Sequence, residues 1–253
     1  MQPSLPKGIL ISLSSGQAFR FKNTDGVYKG VLKDRVYTLS ESNLDIIESD
    51  ENLRYFFDID TDYEAIKEYL SSLSPTLKNA IDNAPHLRIL RQGEEEMILT
   101  FVLTSCNNIP RITKMINALS QNYGKQIEDE YYTFPTSESI ARATEDDLRK
   151  LGLGFRAPFI LNIAKSIDSG KFDVDKIHKM DDREAINYLE TLPGIGEKVA
   201  SCILLFGYHR LNVFPKDVHI KRVMETYFKG KDETMFYPYA GVAQQFLFLD
   251  DLK

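Results

Sequence analysis

Between Thr191 and Lys221 the backbone has few choices. The chain reads Leu192-Pro193-Gly194-Ile195-Gly196-Glu197-Lys198, then an apolar segment, then Phe214-Pro215-Lys216-Asp217-Val218-His219. Ahead of this stretch, Arg183 to Leu189 carries helix formers with apolar residues at Ala185, Ile186 and Leu189, which predicts a helix that stops at the Pro-Gly pair. Val199, Ile203 and Phe206 recur at helical spacing and predict a second helix from near Glu197. The unit is helix, tight glycine turn, helix, over roughly residues 183–208.

Two glycines one residue apart let the backbone approach another molecule closely. The unpaired N–H groups opening the second helix then point outward with the positive end of the dipole behind them, which suits a phosphate. Gly194 and Gly196 are therefore candidate anion contacts, although an ordinary interhelical turn fits the same residues. Lys198 falls in the first turn of the second helix, where dipole and burial both lower a lysine pKa, as an amine that attacks carbon requires. A solvated lysine on a polar helix face is the other reading. Asp217 precedes Val218, Ile220, Val223 and Met224, which places it at the N-cap of a third helix. A carboxylate so held stays ionised and fixed in direction, so capping is compatible with orienting an attacking group or facing positive charge.

A glycine hairpin, a lysine, and an aspartate nineteen residues later resemble the lysine-bearing, bifunctional branch of the helix-hairpin-helix DNA glycosylase superfamily. Further blocks, in order, extend the likeness along nearly the whole chain to the 8-oxoguanine DNA glycosylase/lyase family. They are Ser15-Gly16-Gln17-Ala18-Phe19-Arg20, Leu90-Arg91-Gln92, Asn107-Asn108-Ile109-Pro110-Arg111-Ile112, Leu151-Gly152-Leu153-Gly154-Phe155-Arg156-Ala157, and Pro238-Tyr239-Ala240-Gly241 through Gln244 to Phe248. The expected fold is α+β: an N-terminal antiparallel β-sheet subdomain with helices over residues 1–85, then a mostly α-helical, two-lobed glycosylase region over 86–253 that contains the hairpin.

At 253 residues and 43% hydrophobic content the chain can bury a substantial core. No apolar run approaches the roughly 20 residues of a membrane span, and no basic stretch followed by an apolar one opens the chain, which predicts an unexported protein with no membrane partner. Cys106 and Cys202 are too few for a four-cysteine iron–sulfur cluster, and they suggest no disulfide framework. A formal charge of −6 argues against DNA binding, but the acidity is local. Glu41 to Glu68 holds ten acidic residues against Arg54 and Lys67, whereas from Thr191 onward seven acids meet eight bases. A DNA face that is neutral to mildly basic and relies on backbone donors is expected.

In chain order, strands are predicted at Gly8-Leu13, Phe19-Phe21, Val27-Val31 and Val36-Leu39, paired by hairpins. Tyr63 to Leu73 is an amphipathic helix, Pro75 and Pro85 mark breaks, and from His86 the pattern turns helical. Helices are further expected over Ile116-Tyr123, Ser137-Leu151, with Ser137 or Thr144 as caps, and Phe159-Ile167. Asn107-Asn108 reads as a cap or loop, with Arg111 spaced to point the same way as a finger that enters a duplex. Phe155, in a Gly-flanked loop, could equally plug the core, and Cys202 fits an ordinary core position.

The resemblance implies specific roles. The Gly16 carbonyl accepts the N7 hydrogen that 8-oxoguanine has and guanine lacks; Cys202 and Phe248 flank the extruded base, and Gln244 reads its Watson–Crick edge. Asn107, Arg111, Phe155 and Arg156 serve the opened duplex and the opposite cytosine, and His219 contacts a phosphate. The family has three asparagines where this chain has Cys106-Asn107-Asn108, and a thiol is a poor hydrogen-bonding group, so opposite-base discrimination is expected to weaken. Lys198 attacks C1′ and displaces the base, Asp217 faces the developing positive charge, and the resulting iminium permits β-elimination. No metal or organic cofactor is called for, though hairpin carbonyls could hold a cation. The expectation is a monomer acting on 8-oxoguanine-containing double-stranded DNA inside the cell, with the chromosome. A glycosylase for another damaged base and a non-catalytic hairpin clamp are the rivals.

Overall fold

The computed structural model describes residues 5–252. A three-stranded antiparallel sheet, β1 (Phe21–Thr24), β2 (Val27–Leu32) and β3 (Arg35–Leu39), is closed by two-residue turns, with Thr24 opposite Val27 and Leu32 opposite Arg35. Its inner face, from Tyr28, Tyr37 and Leu39, packs on Ile47 of α1 (Asp45–Ser49) and on Leu53 and Phe56 of α2 (Glu51–Phe56). The expected strand at Gly8-Leu13 is instead a 3-10 helix, Ile9–Ser14, that buries Ile9, Leu10 and Leu13 in this same core. A short apolar run does not distinguish strand from buried helix by periodicity, and here no sheet edge receives it.

The other core is helical. α3 (Tyr63–Leu73) is capped by Asp62, and Pro75 begins a helix rather than merely ending one: Ser74 caps α4 (Pro75–Asn83) by accepting from the Leu77 amide at 3.0 Å. Residues 86–93, expected to be helical, form an extended strap, because their amides are taken by tertiary partners. Arg88 N–H donates to Ser12 Oγ at 3.0 Å, Ile89 to Tyr63 Oη at 2.9 Å, Leu90 to Gln17 Oε1 at 2.8 Å, and Gln92 to the Phe206 carbonyl at 3.1 Å.

From Gly93 the helices α5 (Glu94–Thr104) and α6 (Ile109–Tyr123) follow, then a small hairpin, β4 (Gln126–Glu128) with β5 (Tyr131–Tyr132), that the pattern does not suggest. The predicted helix over Ser137-Leu151 is two: α7 (Ser137–Ala141), capped by Thr136 rather than Ser137, and α8 (Glu145–Lys150), capped by Thr144 in a reciprocal box with Asp147. Next come α9 (Ala157–Asp168), α10 (Asp182–Leu189), α11 (Glu197–Phe206), α12 (Val218–Tyr227) and α13 (Ala240–Asp251). α11 is buried from Val199 to Phe206, the mark of a helix enclosed on all sides, and its Phe206 stacks on Phe101 of α5 at 5.4 Å. No helix among the described residues is long and apolar enough to cross a membrane.

Beyond α11 the chain is tied back to the N-terminal part by a buried histidine–carboxylate hydrogen bond. His209 Nε2 lies 2.9 Å from Asp58 Oδ2, and Arg91 Nε donates to the other oxygen at 2.7 Å. Both Asp58 and His209 hold left-handed backbone, at φ 51 and 53. Burial pushes the Asp58 carboxyl up, but His209 and Arg91 outweigh it and hold it at about 2. A carboxylate depressed on folding contributes stability above its unfolded pKa and loses it as pH falls through the folded one. Asp58→Asn is therefore expected to cost on the order of 2 kcal/mol at neutral pH and to flatten the decline in stability from pH 4 towards 2, read by urea unfolding across that window.

Candidate active site

The hairpin forms as its residues require. α10 is capped reciprocally by Asp181 and Glu184. Gly194 takes φ 83, and a Cβ there would lie 2.6 Å from the Phe159 ring of α9, so both conformation and space demand glycine. Gly196 is the N-cap of α11 and offers no side-chain acceptor to that helix. The first N–H groups of α11 thus open at an exposed turn, suited to an anion.

Lys198, half-buried in the first turn of α11, lines a small cleft of about 50 Å³ together with Gly16, Cys202, Asp217, Gln244 and Phe248. Phe101, Phe206, Pro215 and Gln245 complete the walls, and no sequence motif singles out these four as site residues. Asp217 caps α12 as expected, accepting from the Ile220 amide at 2.8 Å. Cys202 is buried one turn after Lys198. Burial pushes its thiol up, Lys198 pulls it back, and Asp217 adds to the rise, which keeps the sulfur protonated beside the amine. Lys198 also borders a larger groove of about 410 Å³ between α10, α11 and the segment ahead of α12.

The cleft is held together from both ends of the chain. Gln245, buried at 2% exposure, donates to the Ser15 carbonyl at 2.7 Å and so fixes the Gly16 turn to α13. Gln17 donates to Ser15 Oγ and the Arg88 carbonyl, both at 2.8 Å. The visible signal for Gln245 is an amide pair inside an apolar helix. Its neighbour Gln244 is equally buried, yet its Oε1 has no hydrogen-bond partner. An orphaned buried acceptor is costly, and a ligand N–H entering the cleft would satisfy it. Phe248 lies on Gly16, whose hypothetical Cβ would be 3.3 Å from the ring, and meets His219 edge-on at 5.8 Å. His219 Nδ1 in turn lies 2.8 Å from Asp251, which Arg222 also grips.

The remaining candidates form a second group. Phe155 is 52% exposed and so does not plug the core; the Arg156 guanidinium lies 4.2 Å from its ring centroid, and Phe159 meets it edge-on. Arg156 itself is buried and donates to the carbonyls of Ser105 and, at 3.0 Å, Cys106. Burial and the neighbouring Arg111 lower its pKa. Asn108 caps α6 by accepting from the Arg111 amide, while the Asn107 amide donates back to the Leu103 carbonyl. Cys106 is exposed with φ 50, a conformation that asparagine tolerates better than cysteine. Among the described residues, Glu94, Asp175 and His178 bring three potential metal-ligand atoms within 4.8 Å of one another, but none of them lines the cleft.

Residues 8–98 match the family described as 8-oxoguanine DNA glycosylase, N-terminal domain, and residues 99–235 match the HhH-GPD superfamily base excision DNA repair protein family. The N-glycosylase/DNA lyase OGG1 of Arabidopsis thaliana is 28% identical over 96% of this chain and 76% of its own length. The N-glycosylase/DNA lyase of Saccharomyces cerevisiae is 38% identical over 54% of this chain, a match spanning only 40% of the yeast protein. A Clostridium acetobutylicum 8-oxoguanine glycosylase/lyase, solved in complex with double-stranded DNA containing cytosine opposite 8-oxoguanine, superposes with a TM-score of 0.84 at 30% identity. That superposition covers 96% of this chain and 90% of the other.

The left-handed position of Cys106 yields a stability test. Cys106→Asn is expected to raise unfolding stability by about 0.5–1 kcal/mol, since asparagine adopts that conformation at lower cost than other side chains. Denaturant unfolding of the two proteins measures it, and a loss of stability would contradict the assignment.

Proposed function

This chain belongs to the 8-oxoguanine DNA glycosylases of the HhH-GPD base excision repair superfamily, and on that footing we propose that it removes 8-oxoguanine from duplex DNA and then cuts the abasic strand. The observation that carries the reading is the sharing of one cleft by Lys198, Asp217 and the unpaired Gln244 acceptor. The hairpin N–H groups at Gly194 and Gly196 hold a phosphate of the lesion strand and His219 contacts a phosphate, while Phe155 wedges the stack and the damaged nucleotide turns out.

The base enters between Cys202 and Phe248. Because Phe248 rests on Gly16, its ring must turn aside to admit the base. Gln244 Oε1 then accepts from the Watson–Crick edge. Guanine offers the same donors there, so selection falls on the Gly16 carbonyl, which accepts the N7 hydrogen of 8-oxoguanine. The Lys198 amine attacks C1′ as the glycosidic bond breaks, the base leaves with the bonding pair, and Asp217 faces the oxocarbenium-like charge. Loss of a proton from nitrogen and ring opening give an iminium, which acidifies the C2′ hydrogen. Removal of that hydrogen expels the 3′ phosphate by β-elimination. Asn107, Arg111 and Arg156 attend the opposite base, which requires Arg156 to share its donors with the carbonyls it now holds. The protein acts as a monomer with chromosomal DNA.

Borohydride trapping on a duplex containing 8-oxoguanine tests the chemistry. A covalent protein–DNA product is expected from the native protein and none from Lys198→Gln. Trapping on no lesion at all would leave the hairpin clamp as the surviving reading, and trapping only on another lesion would change the substrate. Gly16→Ala is expected to retain the fold and lower 8-oxoguanine removal at least roughly tenfold, because its methyl group meets the Phe248 ring at a left-handed backbone position. Single-turnover rates compare the two.

A further inference from the structure

Beside the hairpin turn lies an open groove of about 430 Å³ that the cleft does not use. Asn162, Lys165 and Ser166 of α9, then Lys171, form one side, and Thr191 and Pro193 of the hairpin form the other. No acidic residue lines it, in a chain whose formal charge is −6. Both lysines are exposed and neither makes an ion pair among the described residues. Some lysines elsewhere are engaged, as Lys216 is with Glu233 at 2.7 Å.

The groove continues a surface the hairpin already defines. Phe155, Phe159, Asn162 and Ser166 are spaced by four, three and four residues, so they follow one face of α9 and the turn before it. That face starts at the exposed Phe155, passes the ring against which Gly194 packs, and ends in the groove. From Phe155 to Lys165 the helix rises about 15 Å, the reach of about four steps along one DNA strand at roughly 3.4 Å each. Unneutralised amines flanked by amide and hydroxyl groups suit phosphodiester oxygens, which position a duplex without reading its sequence.

We propose that this groove binds backbone phosphate of the substrate duplex outside the lesion, extending the DNA face past the hairpin; the proposal rests on the glycosylase reading above. Its contribution is to affinity and not to base selection. The test compares the native protein with the double variant K165Q/K171Q on an 8-oxoguanine duplex of roughly thirty base pairs. Binding is measured across a salt series, and base removal at saturating enzyme. The expected result is a several-fold weaker affinity and a salt slope smaller by about 0.9 for each phosphate that the variant leaves unneutralised, with the saturated rate unchanged and K165R/K171R close to native. An unchanged slope and affinity would overturn the proposal. So would an equal weakening in K33Q/K78Q, which removes two exposed lysines from the N-terminal part, since the effect would then be one of overall charge. Failure of the glycosylase reading shows separately, as absent base removal by the native protein on the same duplex.

Discussion

The cleft exists because buried amides tie the two ends of the chain together. Gln245 on α13 holds the Ser15 carbonyl, Gln17 holds Ser15 Oγ and the Arg88 carbonyl, and the strap at 86–92 commits its own N–H groups to Gln17, Ser12 and Tyr63. Inside a core such bonds are costly to break, since each would leave a polar group with neither protein nor water to satisfy it. Gly16 is thereby fixed opposite Phe248, and the apolar walls of α5 and α11 set the depth. Against this satisfied background the Gln244 oxygen stands out, the one amide of the cleft left waiting for a donor.

The two proposed catalytic residues take their positions from ordinary helix chemistry. Asp217 is a conventional N-cap, and Lys198 sits on a helix buried from Val199 onward, so both backbone positions are fixed at the walls of one cleft. The bond between His209 and Asp58 anchors the segment that leads from one helix to the next. Charge is partitioned in the same spirit. Ten acidic residues crowd the stretch from Glu41 to Glu68, while the hairpin side offers backbone donors and a few unpaired lysines. A chain of net negative charge can face DNA on these terms because phosphate answers to local donors within a screening length, not to the whole-chain sum.

Departures between sequence pattern and structure share a cause. The strap after His86 looks helical because its apolar residues fall at helical spacing, but distant partners compete more strongly for its amides. Ile9–Ser14 looks like a strand because short apolar runs carry no period long enough to decide. Phe155 is open between plug and wedge in the sequence, and only its exposure shows that it does not serve the core.

What the sequence by itself determined is what short-range chemistry dictates: the glycine turn between α10 and α11, the capped start of α12 at Asp217, the hairpins of the small sheet, and Lys198 in a first turn. Periodicity, caps and turn residues act over a few residues and are written locally. Only the tertiary structure decided that residues as far apart as Gly16 and Phe248 touch, that Gln245 braces the site while Gln244 stays unpaired, and that Arg156 is fastened to the loop at Ser105. Those outcomes depend on long-range packing and on which buried polar groups find partners, and no local pattern encodes either.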